Sequence, residues 1–186
     1  MQVIATPLPG LLILEPKVFA DERGYFYESF NQRSFDAVVG QPVSFVQDNH
    51  SRSRRGVLRG LHYQLPPHAQ GKLVQVVRGS VFDVAVDIRR GSATFGRWFG
   101  ATLDAAKHRQ MWIPAGFAHG FLALEDETLF QYKTTDHYAR DCERAIAWND
   151  PAIGIDWPAL GSAPLLAAKD AAAPPLAGAE VFSSAL

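Results

Sequence analysis

Two apolar runs of period two, joined at a glycine, place the strongest constraint on this chain. Before the joint, Val74 and Val76 fall on one side of an extended strand, and Leu73 and Val77 on the other. After Arg78-Gly79-Ser80, Phe82, Val84, Val86 and Ile88 share one side and Val81, Asp83, Ala85 and Asp87 the opposite one. Alternation of this kind reads as strands, and a short glycine-bearing joint makes them a β-hairpin. Comparable runs recur at 11–15, 25–30, 43–49, 56–64, 95–103, 109–113, 119–123 and 127–134. About ten short strands at such spacing predict an all-β chain, an antiparallel sandwich or barrel. The turns and walls of such a fold are supplied by Gly 15, Pro 12, Phe 12, Tyr 5 and Trp 4 among 186 residues.

One early segment departs from the pattern. Phe35, Val38 and Val39 repeat at i, i+3 and i+4 behind Asn31 and stop at Gly40, which predicts a short helix over 31–40. The C-terminal third is rich in Ala and Pro over 158–178, and its alternation fades. Loops and short helices laid on the barrel are expected there, with a weakly ordered tail after about residue 175. There is no internal repeat and no long linker, so a single domain over 1–186 is expected.

Several classes of function are excluded by composition. Lys plus Arg number 18 against 19 Asp plus Glu, a net charge of -1, without the basic excess of a nucleic-acid binder. Cys142 is the only cysteine, so an internal disulfide or a cysteine-rich metal site is ruled out. No run approaches the roughly 18 apolar residues of a membrane helix. The first residues show no basic start followed by an apolar core, so a cytoplasmic protein is expected.

Two of the six histidines stand beside glycines in apolar strands, His62 in Arg59-Gly60-Leu61-His62 and His119 in Gly116-Phe117-Ala118-His119-Gly120. A histidine on an apolar strand is more often a hydrogen-bonded core residue than a functional one, but glycine neighbours let a ligand approach closely. An imidazole with its ordinary pKa near 6.5 suits proton abstraction at neutral pH, provided a carboxylate orients its other nitrogen. Asp83 and Asp170 both qualify for that task from sequence. Tyr132 shares a strand face with Thr128 and Phe130 and points inward, either as an acid or as a core phenol. Arg59 and Lys72 flank strand residues and suit a phosphate or an oxyanion, whereas Ser51–Arg55 reads as a solvated loop. Arg59 and His62 are three apart, which would put them on opposite faces of a regular strand; a bulge at Gly60 would reunite them. No P-loop, dinucleotide fingerprint or nucleophile elbow is present.

Gly56, His62 and Pro114-x-Gly116-x-x-His119 resemble the motifs of the cupins, so the fold is expected to be a cupin-like double-sheet jelly-roll barrel. Metal-binding cupins carry a second histidine where this chain has Gln64, and no Glu lies between His62 and Gly79. Too few ligands converge for a catalytic metal, and none is expected.

A closer resemblance covers about residues 12–174. It rests on Asp21-Glu22-Arg23-Gly24, Phe45-Val46-Gln47-Asp48-Asn49-His50-Ser51, Val57-Leu58-Arg59-Gly60-Leu61-His62 and Phe82–Arg89. It extends through Trp112-Ile113-Pro114 to Phe121, Trp148-Asn149-Asp150 and Ala168–Pro174. In these the chain resembles the dTDP-4-dehydrorhamnose 3,5-epimerases. The resemblance implies that His62 is the base, oriented by Asp170, that Tyr132 is the acid on the other face of the sugar, and that Lys72 meets the enolate oxygen. It further implies that Arg23, Glu28, Gln47, Asp48, Asn49, Arg59, His119, Glu143 and Lys169 hold a dTDP-sugar, with Tyr138 stacking on thymine. It also implies a homodimer sharing N-terminal strands, with no cofactor and no metal. Two rivals use similar residues: an epimerase inverting only C3 or only C5, and a cupin that binds a sugar without chemistry.

Overall fold

The period-two runs form antiparallel ladders in a computed structural model that describes residues 1–183. In chain order the strands are β1 (Gln2–Ala5), β2 (Leu12–Glu15), β3 (Val18–Asp21), β4 (Gly24–Tyr27), β5 (Gln47–Ser53), β6 (Leu58–Gln64) and β7 (Lys72–Arg78). They continue as β8 (Ser80–Asp87), β9 (Trp98–Asp104), β10 (Gln110–Ile113), β11 (Phe117–Ala123), β12 (Thr128–Thr134) and β13 (Glu143–Ala145). Helices α1 (Gln32–Val39) and α2 (Ala168–Ala171) complete the set.

Two sheets face one another, with strand orders β1-β2-β10-β7-β12-β5 and β13-β6-β11-β8-β9. The chain passes back and forth between them from β5 to β12, and only the β8–β9 hairpin stays within one sheet. That is the jelly-roll winding expected from the sequence, with the two sheets left unjoined rather than closed into a continuous barrel. A third sheet holds β3 and β4 alone.

Both faces of β8 are buried because both are covered. Val81 and Ala85 meet Val74, Val76, Leu103, Phe117, Phe121 and Phe130 between the sheets. Val84, Val86 and Ile88 point the other way and are covered by Ile146, Ile153, Leu176, Ala179 and Phe182 from the C-terminal third. Helix α1 begins at Asn31, whose side chain accepts from the Ser34 N–H, and ends at Gly40 with φ 82. Its Phe35 packs on Leu14, Leu73 and Trp112 on the outer face of the larger sheet.

Three expectations need correction. The segment after residue 175, expected to be weakly ordered, is packed as far as Phe182: Leu176, Ala179 and Phe182 are buried, and Phe182 bridges Arg89. They lie on apolar surface that β8 offers on its outer side; residues 184–186 of that tail lie outside the described residues. The strand expected at 43–49 starts only at Gln47, because Val43 and Phe45 leave the ladder to pack against α1. It then runs through Ser51-Arg52-Ser53, so three of the five residues of the supposed solvated loop are strand, paired with Thr128–Phe130.

Candidate active site

Strand β6 carries one residue more than its partner β11 between two fixed pairs. Arg59 lies opposite Phe121 and His62 opposite His119, so Gly60 and Leu61 face Gly120 alone. This bulge turns Arg59 and His62 to the same side, as their spacing required. It depends on two glycines in contact: a Cβ on Gly60, whose φ is 134, would lie 2.5 Å from the Gly120 Cα.

Both side chains enter a cavity of about 710 Å³ between the sheets. His62 and Arg59 come from the smaller sheet, and Lys72, Tyr132 and Asn49 from the larger one. Phe121 and Phe130, stacked 4.3 Å apart, form the apolar floor. The segment Leu165–Ala167 and α2 close the side, bringing in Lys169 and Asp170.

His62 Nε2 stands 2.6 Å from Asp170 Oδ1, and only 2% of the Asp170 side chain is exposed. Burial raises the carboxyl pKa, but the His62 hydrogen bond and charge, the Gly60 N–H and Lys169 outweigh it and hold Asp170 below its ordinary value. A carboxylate on Nε2 favours the tautomer protonated there and leaves Nδ1 with a free lone pair. Asp83, the other carboxylate that could have oriented His62, serves His119 instead: His119 Nε2 lies 3.0 and 3.1 Å from its two oxygens. Two histidines of the cavity are thus each held by an aspartate, His62 partly open and His119 buried.

Lys72 is buried, and its Nζ donates to the His62 carbonyl at 3.1 Å. Burial lowers its pKa to about 8; Asp83 and Glu143 pull it back up, and Lys169 pushes it further down. Tyr132 is raised above its ordinary value, first by burial, so its phenol keeps its proton at neutral pH. At the mouth, Glu143 accepts from Lys169 Nζ at 2.9 Å and from the Tyr138 hydroxyl at 3.1 Å. Burial raises the Glu143 pKa, but the Lys169 and Tyr138 hydrogen bonds carry it below the ordinary value.

Ten of the residues singled out from sequence line this one cavity: His62, Tyr132, Asp170, Lys72, Asn49, Arg59, His119, Tyr138, Glu143 and Lys169. Four do not. Gln47 stands one contact behind, donating to Asn49 Oδ1 and accepting from the Tyr138 N–H. Asp48 projects to the other face of β5 and pairs with Lys133. Arg23 is paired with Asp21 at the tip of the β3–β4 hairpin, and Glu28 accepts from Asn31. Sequence reading passed over Arg54, Gln70 and the 165–167 segment, all of which line the cavity. Arg54 was masked by the charged run around it, and the Ala-rich segment carries no chemical signal of its own. Gln64, at the position of a metal-binding histidine, is spent on backbone: it donates to the carbonyls of His68 and His137 and accepts from the Ala139 N–H. Among the described residues no three His, Cys, Asp or Glu side chains converge.

The sequence model of the dTDP-4-dehydrorhamnose 3,5-epimerase family matches residues 5–178. The chain belongs to that family. It is 58% identical over 182 residues to the dTDP-4-dehydrorhamnose 3,5-epimerase of Pseudomonas aeruginosa, covering 98% of this chain and 99% of the relative. Against the Shigella flexneri epimerase it is 61% identical over 170 residues, 91% and 93% of the two chains. A 3,5-epimerase from Legionella pneumophila, solved in complex with dTDP-4-keto-L-rhamnose, superposes with a TM-score of 0.95 at 49% identity, covering 100% and 99%. The chain is therefore an isomerase, a 3,5-epimerase of the dTDP-rhamnose pathway with the cupin fold of its family. No helix among the described residues is long and apolar enough to cross a membrane.

Proposed function

We propose that the cavity takes dTDP-4-dehydro-6-deoxy-D-glucose and returns dTDP-4-dehydro-L-rhamnose, with His62 as the common base at C3 and C5. The observation that carries this reading is the placement of base and acid. His62, tied to Asp170 at 2.6 Å, enters from one sheet, and Tyr132, still protonated, enters the same cavity from the other. A C4 ketone acidifies the hydrogens on both neighbouring carbons. His62 removes one, the C–H electron pair passes into an enolate, and Lys72 neutralises the charge on O4 inside a water-poor site. Tyr132 returns a proton from the opposite face, which inverts the carbon. Asp170 holds the imidazole and stabilises the imidazolium that forms. Arg59 and Lys169 offer cations for the diphosphate, and Tyr138 at the mouth offers a ring for thymine.

The same reading makes the chain a single domain working in the cytoplasm without cofactor or metal. It also makes the β3–β4 hairpin an arm, exchanged in a homodimer, that brings Arg23 and Glu28 to the partner's cavity. Phe19 is 54% exposed and Phe26 71% on that hairpin, an apolar face that a second copy would cover.

The test is incubation with the dTDP-4-keto-6-deoxyglucose substrate in deuterated water, followed by NMR. Deuterium is expected at both C3 and C5 with both centres inverted; label and inversion at one carbon only would assign a single-position epimerase. A pH profile adds a second check. Lys72 is a cation only below about 8, so activity is expected to fall as pH rises through that value. Asp83→Asn removes a charge that raises the Lys72 pKa, so the basic limb should move to lower pH. A limb unmoved by Asp83→Asn would remove Lys72 as the group behind it.

A further inference from the structure

We propose that His108 is the positioning residue of the β3–β4 arm: its ring, clasped by Tyr25 and Tyr27, fixes which face of the arm lies on its own chain and which is turned outward. The proposal rests on the reading that the arm carries Arg23 to a partner's cavity.

A two-stranded hairpin alone is marginal in water, and β3 and β4 pair only with each other. Among the described residues no hydrogen bond or ion pair ties Val18–Tyr27 to the two large sheets; the Arg23–Asp21 pair is internal. The tie that does exist is aromatic. The His108 ring centroid lies 4.6 Å from that of Tyr25 and 4.5 Å from that of Tyr27, the latter pair stacked at 28°. His108 is 8% exposed although it sits in the turn between β9 and β10. Its φ is 56, a left-handed conformation in which the turn presents the ring to the hairpin.

The pairing register makes the clasp directional. Val18 lies opposite Tyr27 and Ala20 opposite Tyr25, so these four share the face that meets His108. Phe19 and Phe26, 54% and 71% exposed, form the opposite face; on the His108 face Tyr25 keeps 63% of its surface exposed and Tyr27, half-buried, is the more closely held of the two rings. Arg23 stands at the tip, two residues before Tyr25. Anchoring Tyr25 and Tyr27 therefore sets the direction of Arg23 and the outward presentation of Phe19 and Phe26 together.

His108→Asn removes the ring while keeping a residue that tolerates the left-handed turn. In this variant the ladder amides of Val18–Tyr27 are expected to exchange with deuterium about tenfold faster, the scale of one or two aromatic pairs. Amides of β7 and β12 should keep their rates, which separates loss of the clasp from general unfolding. KM for the dTDP-sugar should rise about fivefold with kcat within about twofold, and in an Arg23→Ala background the same change should add nothing further to KM. Unchanged hairpin exchange overturns the clasp whatever Arg23→Ala does. Faster exchange with an unchanged KM, when Arg23→Ala alone raises KM, overturns the positioning role and leaves the arm standing. An Arg23→Ala variant with unaltered KM sinks the arm itself, and His108 with it.

Discussion

His62→Ala is expected to abolish solvent exchange at both C3 and C5 while the protein still binds dTDP. The ring is held at 2.6 Å through Nε2 by a carboxylate that is 2% exposed, which pre-orients an imidazole that lines the cavity and leaves its Nδ1 without a carboxylate partner among the described residues. His119 is held through Nε2 in the same way, by Asp83, but its side chain is only 8% exposed against 24% for His62, so it offers less of its ring to a substrate. Loss of a positioned general base typically lowers the rate by about 10²–10⁴-fold. Because one base serves both carbons, the two exchange rates should fall together. Affinity for dTDP should stay within about threefold, since the groups offered to the nucleotide (Arg59, Lys169, Tyr138) do not hang on the imidazole. Tyr132→Phe makes the contrast: it keeps the base and removes the acid, so C–H exchange should survive better than inversion. Residual exchange at one carbon in His62→Ala would mean separate bases for the two centres.

The all-β class was legible because glycine joints divide runs that alternate in period two, and the jelly-roll winding because Gly56, His62 and Pro114-x-Gly116-x-x-His119 resemble the cupin motifs. The capped helix was legible for a local reason, with Asn31 and Gly40 at its ends. What escaped was polarity in the wrong place. Strand β5 reads Gln-Asp-Asn-His-Ser-Arg-Ser and shows no apolar alternation, since one face looks into a polar cavity and the other bears Asp48, His50 and Arg52. The buried tail escaped because Leu176, Ala179 and Phe182 are scattered among Ala, Pro and Gly at three-residue spacing with no run of alternation to mark them as cover for β8. Within the site, residue types and spacing identified both histidines and both aspartates. Spacing could not pair them, since Asp83 lies 36 residues from His119 and Asp170 lies 108 from His62; only the family resemblance pointed to Asp170 for His62, and nothing pointed to Asp83 for His119.

Gly60→Ala tests whether the bulge builds the site, and it is expected to be the most damaging single methyl in the cavity wall. Two effects act on it. A φ of 134 is a conformation open to glycine and strained for alanine, which costs of order 1–3 kcal/mol. The new Cβ would also meet backbone, 2.5 Å from the Gly120 Cα and 2.9 Å from the His119 carbonyl oxygen, and neither can rotate away. Forcing β6 from β11 there adds roughly another 1–3 kcal/mol. For a chain of this size a loss of about 4 kcal/mol lowers Tm by roughly 8–16 °C. Gly56→Ala is the matched control: φ is 85, but a Cβ there meets nothing within 4 Å, so only backbone strain remains. Its Tm should fall by only a few degrees, on the order of 1 kcal/mol. The functional consequence should differ in the same sense. The Gly60–Gly120 contact is what lets Arg59 and His62 share a face and puts the Gly60 N–H on Asp170. Gly60→Ala protein that remains folded at low temperature should therefore lose kcat/KM by well over about tenfold, and Gly56→Ala should not. Equal losses of stability and activity in the two variants would show that backbone freedom alone, rather than the contact between the two strands, is what position 60 supplies.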